Sequence, residues 1–151
     1  MLELIREFLA QKRLAVAGVS HEPREFSRML FRELRKRGYE AIPVNPAAME
    51  IDGVTSYPRV QDIQPGVENV LLMTSPAVTN VVVQDCAAAG VKRVWMYRAG
   101  GKGAVSPEAV AYCESHGMKV VPGECPYMFW EHNGLHRVHG WVRRIEGRYP
   151  S

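Results

Sequence analysis

Gly18-Val19-Ser20 and Asn45-Pro46 are the residues of this 151-residue chain whose types and spacing could do chemistry. The first group closes the apolar run LAVAGVS, Leu14 to Ser20, and the second closes YEAIPVNP, Tyr39 to Pro46, about one helix later. An apolar strand that stops at glycine before an amphipathic helix aims backbone N–H groups and a helix N-terminus at one spot, where an anion can sit. The expected chemistry is capture of a phosphate-bearing ligand. A nicotinamide dinucleotide is the first candidate, but the fingerprint GxGxxG here reads GVSHEP. Ser20 and Pro23 stand where glycines would admit the pyrophosphate and pack the helix. Asn45-Pro46 also fills the strand end where NAD proteins place an acid for the ribose 2′-hydroxyl. Both departures count against NAD.

The other reactive residues compose no catalytic set. No serine, histidine and acid triad and no carboxylate pair can be assigned. His132, His136 and His139 fall at i, i+4 and i+7 on one helical face, with Cys125 upstream, a group that could ligate zinc. There is neither an HExxH motif nor a CxxC pair among Cys86, Cys113 and Cys125, so we read the histidines as exposed or packed and expect no metal. Three cysteines at irregular spacing fit a reducing, cytoplasmic setting, with Cys125 buried and inert. Arg32, Arg35, Lys36 and Arg37 gather late in one helix and suit the negative end of its dipole. We read them as a solvated face, docking to a partner being the alternative.

A frame must bring these strand ends together. An amphipathic leading helix over 1–12, with Leu2, Ile5 and Leu9 on one face, precedes a series of short apolar runs and helical patterns. LAVAGV is the first strand. A helix from about Ser27 to Arg37 follows, with Phe26, Leu30 and Leu34 on one face and Gly38 as its stop, and EAIPVN is the second strand. The stretch Asp52 to Gln64 allows a very short strand and a turn. Val67 to Thr74 is a near-continuous apolar run suited to a strand covered on both faces. Ser75-Pro76 predicts the cap and first position of a helix reaching Gly90, with Val78, Val82 and Ala89 inward. Arg93 to Arg98 is the next strand, followed by the loop AGGKG, a helix from Ser106-Pro107 to Gly117 and the closing strand MKVVPGECP.

Repeated units of this kind call for a parallel sheet with right-handed crossovers. The expected class is α/β: a Rossmann-like three-layer sandwich whose mostly parallel, five- or six-stranded sheet carries helices on both faces. An N-terminal helix precedes it. A C-terminal helical extension over 127–151 follows, with Phe129, Leu135, Val138 and Val142 available for burial. Pro43 cannot donate to a ladder, which puts the second strand beside a short edge strand at most.

Composition sets the bounds. A 46% apolar chain of this length is read as one domain, 1–151, able to bury roughly two-thirds of its unfolded surface. A net charge of +3 permits an acidic ligand but lacks the concentrated basic stripe of a nucleic-acid binder. Glu3, Arg6, Glu7 and Lys12 interrupt the first apolar pattern and exclude both a signal-peptide core and a membrane span there.

At these residues the chain resembles the coenzyme-A-binding domain family, the stand-alone relatives of the N-terminal domain of the succinyl-CoA synthetase alpha subunit. The matching features are GVS with Pro23, Arg24 and Ser27 after it, GYEAIPVNP, SYPRVQDI, the TSPA turn, RVWMYRAG and MKVVPGECP, covering roughly Arg13 to Pro126. The resemblance implies coenzyme A or an acyl-CoA as ligand, bound without catalysis in a regulatory or carrier role. The N–H groups of Gly18, Val19 and Ser20 and the Ser20 hydroxyl would hold the pyrophosphate, with Arg24 or Ser27 completing the anion site. Val44, Asn45 and Pro46 would flank the adenosine. Thr74, Ser75 and Pro76 would line the path of the pantetheine arm, and Arg98 with its loop would share the same edge. Tyr97 departs from the glutamine of many relatives, and Ala47-Ala48 supply no base for the ligand's 3′-phosphate. An NAD(P)-binding oxidoreductase or redox sensor, and a scaffold module without a small ligand, stay open, as does a homodimer or protein partner.

Overall fold

Alternation of side chains along each strand decides the architecture. The structure is a computed structural model that describes residues 1–130. Helix α1 (Leu2–Ala10) leads into β1 (Arg13–Ala17), α2 (Phe26–Lys36) and β2 (Glu40–Val44). A hairpin of β3 (Glu50–Ile51) and β4 (Val54–Thr55) comes next, then a 3-10 turn (Val60–Asp62), β5 (Asn69–Leu72) and α3 (Pro76–Ala88). The described chain ends with β6 (Arg93–Met96), α4 (Pro107–Ser115), β7 (Lys119–Pro122) and a 3-10 turn (Pro126–Phe129). Five strands form one parallel sheet in the order β2-β1-β5-β6-β7. This is the expected α/β, Rossmann-like sandwich in its five-stranded form.

Each central strand is buried on both faces, hence its unbroken apolar sequence. Leu14, Val16, Leu71, Trp95 and Val121 pack on Ile5 and Phe8 of α1 and on Leu30, Phe31 and Leu34 of α2. The intervening residues Ala15, Ala17, Val70, Leu72, Val94 and Met96 turn to the opposite face, against Val83 and Cys86 of α3 and Ala109 and Cys113 of α4. A polar tie anchors α1 at the amino edge of the sheet. Arg93 donates from Nη1 to the buried Asn69 Oδ1 at 2.8 Å and from Nε to Glu7 at 3.0 Å, which holds the Glu7 carboxyl below its usual range.

Pro43 sits where its missing donor costs nothing. Glu40 N–H donates to Lys12 and Gly18 N–H donates to Val44, so even-numbered residues of β2 bond inward to β1. Pro43 therefore faces outward, where its carbonyl accepts from Tyr57 N–H. β2 is an outer strand, flanked among the described residues by the single bridge to Tyr57.

Three sequence readings are corrected or bounded. Val78 is 48% exposed rather than inward, because the Ser75 cap and Pro76 set the phase of α3 so that Thr79, Val83 and Cys86 face the core. Thr79 tolerates that burial by sharing a 2.6 Å hydroxyl contact with Thr74. Phe26 is 40% exposed and lies against Tyr97 and Tyr127 instead of joining Leu30 and Leu34. The segment after Pro126 begins as a 3-10 turn, and Leu135, Val138 and Val142 lie outside the described residues. No described helix is long and apolar enough to cross a membrane.

Proline scanning of β2 tests this edge geometry. Pro43→Ala should change stability by less than about 1 kcal/mol, whereas Ile42→Pro, which deletes an inward donor, should cost about 3 kcal/mol or more in urea unfolding.

Candidate functional site

Strand order reverses between β1 and β5, and open α/β sheets bind ligands in the crevice beyond the carboxyl ends of such a pair. Gly18 forms the floor of this crevice. Its φ is +88°, and a Cβ placed there would lie 2.6 Å from the Met73 carbonyl oxygen, so no other residue fits without displacing the backbone. Met73 N–H donates to Ala17 at 2.8 Å, which fixes the approach of the two loops.

The loop from Gly18 to Glu25 spends several of its own polar groups internally. Gly18 N–H donates to Val44, Ser20 N–H donates to Ser27 Oγ at 2.9 Å, and Ser20 Oγ accepts from Glu22 N–H at 3.0 Å. Of the three amides expected to face a phosphate, two are thus engaged, together with the Ser20 and Ser27 hydroxyls. Arg28 donates to the Ser20 carbonyl and Arg32 to the Pro23 carbonyl, each at 3.2 Å. In a trans peptide the next N–H points opposite to the carbonyl, so the His21 and Arg24 amides face away from these guanidinium groups. Arg24 itself is exposed, with no ion pair among the described residues.

A carboxylate clamps this loop to the β3–β4 hairpin. Asp52 and Gly53 both take positive φ, 50° and 78°, the turn that Asp-Gly favours in a two-residue hairpin. Arg28, 8% exposed, grips Asp52 with Nε to Oδ2 at 2.9 Å and Nη2 to Oδ1 at 2.7 Å. Arg32 adds Nε to Oδ2 at 3.0 Å, and Arg35 reaches the Asp52 carbonyl at 3.2 Å. Hydrogen bonds from Arg28, opposed by burial and reinforced by Arg32, pull the Asp52 carboxyl down to about 2. Arg32 and Arg35 are therefore clamp residues rather than a solvated face, and Arg37 pairs with Glu33 and lies 4.3 Å over the Trp130 ring. The sequence reading passed over Arg28 and Asp52. Their signal was the i, i+4, i+7 spacing of Arg28, Arg32 and Arg35 opposite a lone Asp-Gly turn.

Asn45 joins two walls of the crevice. Its Nδ2 donates to the Val19 carbonyl at 2.9 Å and its Oδ1 accepts from Ala47 N–H at 2.8 Å. An acid at this position would turn an oxygen toward the Val19 carbonyl, which accounts physically for its absence. Val44 is buried and Pro46 exposed beside it. Across the crevice Ser75 caps α3 through Oγ, accepting from Val78 N–H at 3.4 Å, with Pro76 at the first helical position.

The loop after β6 reaches the same edge. Arg98 N–H donates to the Glu124 carbonyl at 3.2 Å, and its guanidinium lies over Gly123, where a Cβ would meet Nε at 2.8 Å. Burial and the neighbouring Cys125 push the Tyr97 phenol above its usual range. Cys86, Cys113 and Cys125 are all buried and in no disulfide among the described residues; desolvation raises Cys86 and lifts Cys113 to about 11. His132, His136 and His139 lie outside the described residues. Among those described, no group of three histidine, cysteine or acidic side chains could hold a metal.

Residues 12–131 match the family described as the CoA binding domain. The alpha subunit of the ADP-forming acetate–CoA ligase II of Pyrococcus furiosus is 26% identical over 136 residues, which are 85% of this chain and 30% of the subunit. The chain thus spans under a third of that relative. The uncharacterized protein YneT of Bacillus subtilis is 28% identical, with 80% of this chain and 87% of its own length aligned. Among solved structures, a hypothetical protein from Pyrococcus horikoshii OT3 superposes with a TM-score of 0.77 at 31% identity, covering 83% of this chain and 87% of that one. The dinucleotide forming acetyl-coenzyme A synthetase 1 of Ca. Korarchaeum cryptofilum, in complex with phosphate and ADP, gives 0.67 at 30% identity, over 80% of this chain and 27% of the synthetase.

The clamp has a pH signature. Because the Asp52 carboxyl is depressed in the folded protein, its stabilisation is complete above the ordinary value of 3.8 and is lost as pH falls through about 2. Asp52→Asn should lower stability at neutral pH by about 2 kcal/mol and flatten the acid slope between those values, measured by urea unfolding at stepped pH.

Proposed function

We propose that this chain, which belongs to the CoA binding domain family, binds coenzyme A or an acyl-CoA at the carboxyl edge of its sheet. The observation that carries the reading is the meeting of the Gly18 loop, Asn45 and the Ser75 cap at the β1–β5 reversal, within a family match spanning most of the chain. In this reading the pyrophosphate rests on the Gly18 to Arg24 loop. Val19 N–H and the outward His21 and Arg24 amides supply donors, and the Arg24 side chain supplies charge. Ser20 and Ser27 shape the loop through their mutual bond rather than by direct contact. Val44, Asn45 and Pro46 flank the adenosine, and Thr74, Ser75 and Pro76 line the path of the pantetheine arm toward Arg98.

The role is carrier-like or regulatory binding by a single domain, without chemistry of its own. The ligase and synthetase that contain a similar segment are much longer chains, so their activities belong to proteins with further parts. A cytoplasmic setting goes with three cysteines that form no disulfide among the described residues.

A thermal-shift panel with coenzyme A, acetyl-CoA, NAD(H), NADP(H) and ADP separates this reading from a nicotinamide protein and from a scaffold. Coenzyme A compounds should raise the midpoint, since ligand at about 100 times its Kd adds roughly 2.7 kcal/mol. No shift with millimolar coenzyme A, or a shift with the nicotinamide compounds alone, overturns it.

A further inference from the structure

Phe26 lies outside the core, yet its ring is held in place. It opens α2 one residue ahead of Ser27, the residue that captures the Ser20 amide, and it is 40% exposed. Its ring centroid lies 5.4 Å from that of Tyr97 at 35° and 6.1 Å from that of Tyr127 at 52°. Both tyrosines are half-buried against the side of the core that α1 and α2 cover, and Met73 joins them there. The Tyr97 hydroxyl is spent in a hydrogen bond with the buried Cys125 thiol, which leaves its ring as apolar surface beside Phe26.

Every member of this wall hangs from a strand end at the carboxyl edge. Phe26 follows the loop after β1, Met73 directly follows β5, Tyr97 directly follows β6 and donates its N–H to Leu72, and Tyr127 lies in the turn after β7. The Met73 carbonyl is also the group against which Gly18 packs, so the wall starts at the floor of the crevice. Neighbouring strands lie about 4.8 Å apart, which puts the end of β6 roughly 10 Å from that of β1, on the side away from Asn45. A ligand anchored by its nucleotide at the ends of β2 and β1 carries its far end toward these rings. Arg98, next in the chain after Tyr97, has its guanidinium over Gly123 instead.

We propose that Phe26, Met73, Tyr97 and Tyr127 form an acyl subsite, one that takes a medium-length alkyl or aryl group carried on the thioester of coenzyme A. The subsite rests on the coenzyme A reading above and names the acyl class which that reading leaves open. Aromatic faces and a methionine offer such a group a broad, adaptable contact that asks for no hydrogen bond. A carboxylated acyl group would lose hydration against the same wall without gaining a partner. The exposed face of Phe26 is the apolar surface that the ligand removes from water.

Isothermal titration with coenzyme A, acetyl-CoA, hexanoyl-CoA and succinyl-CoA tests this in the wild-type protein, Phe26→Ala and Phe26→Trp. The wild-type protein should bind hexanoyl-CoA at least about tenfold more tightly than acetyl-CoA or succinyl-CoA, the gain expected when part of the alkyl chain leaves water. Phe26→Ala should cut that advantage at least about threefold and Phe26→Trp should keep it, because only the first removes the ring. The affinity for coenzyme A itself should be unchanged in both variants, which reports an intact Gly18 loop. Equal binding of hexanoyl-CoA and acetyl-CoA, a preference for succinyl-CoA, a hexanoyl advantage that survives Phe26→Ala, or an equal loss for coenzyme A and hexanoyl-CoA in that variant overturns the subsite. Failure of the wild-type protein to bind any of the four compounds overturns the coenzyme A reading and the subsite together.

Discussion

The approach of Gly18 to the Met73 carbonyl is the constraint on which the site depends. Two neighbouring parallel strands, β1 and β5, send their chains to opposite faces of the sheet, and their ends can meet at this spacing only where one residue has no side chain. From that contact the rest follows in order. Gly18 turns with positive φ, its amide closes onto Val44 of the outer strand, and Ala17 accepts from Met73. Three strand ends are thereby fixed against one another before any side chain contributes.

Polar groups then hold the loops to that floor at the expense of their own freedom to meet a ligand. Asn45 ties the end of β2 to Val19, Ser27 captures the Ser20 amide, and Arg28 and Arg32 draw the Ser20 and Pro23 carbonyls toward α2. A buried arginine bound to a carbonyl and a bidentate carboxylate is a rigid element, because breaking either contact strands a charge in a poorly solvated place. The consequence is a loop whose outward groups are set by its inward bonds. Preorganisation of this kind lowers the ordering cost of binding and raises affinity without adding contacts.

The frame was legible in the sequence because its signals are local. Apolar runs bounded by Gly38, Ser75-Pro76, Ser106-Pro107 and Gly117 marked strands and helices, and Pro43 marked the sheet edge through its missing donor. Phase within α3 was not legible, since Val78, Val81, Val82 and Val83 supply apolar residues on several sides and the burial of Thr79 depends on its hydroxyl partner Thr74. The hairpin clamp was hidden for a different reason. A cluster of arginines reads as a solvated helix face until the fold carries Asp52 across to it, and only the Asp-Gly turn hinted at the hairpin. The anion loop was found by its glycine, but which amides remain open depends on partners elsewhere in the chain, Ser27 for the Ser20 amide and Val44 for that of Gly18.

The central claim is that the β1–β5 crevice takes the nucleotide end of coenzyme A. Backbone amide shifts of the labelled protein, followed by NMR as coenzyme A is added, test it most directly. The account predicts that the largest changes fall on residues 18–25, 45–48 and 74–76, with the amino edge around Glu7, Asn69 and Arg93 unmoved. Changes concentrated at that amino edge or on the outer face of α3, with the Gly18 loop silent, would contradict it.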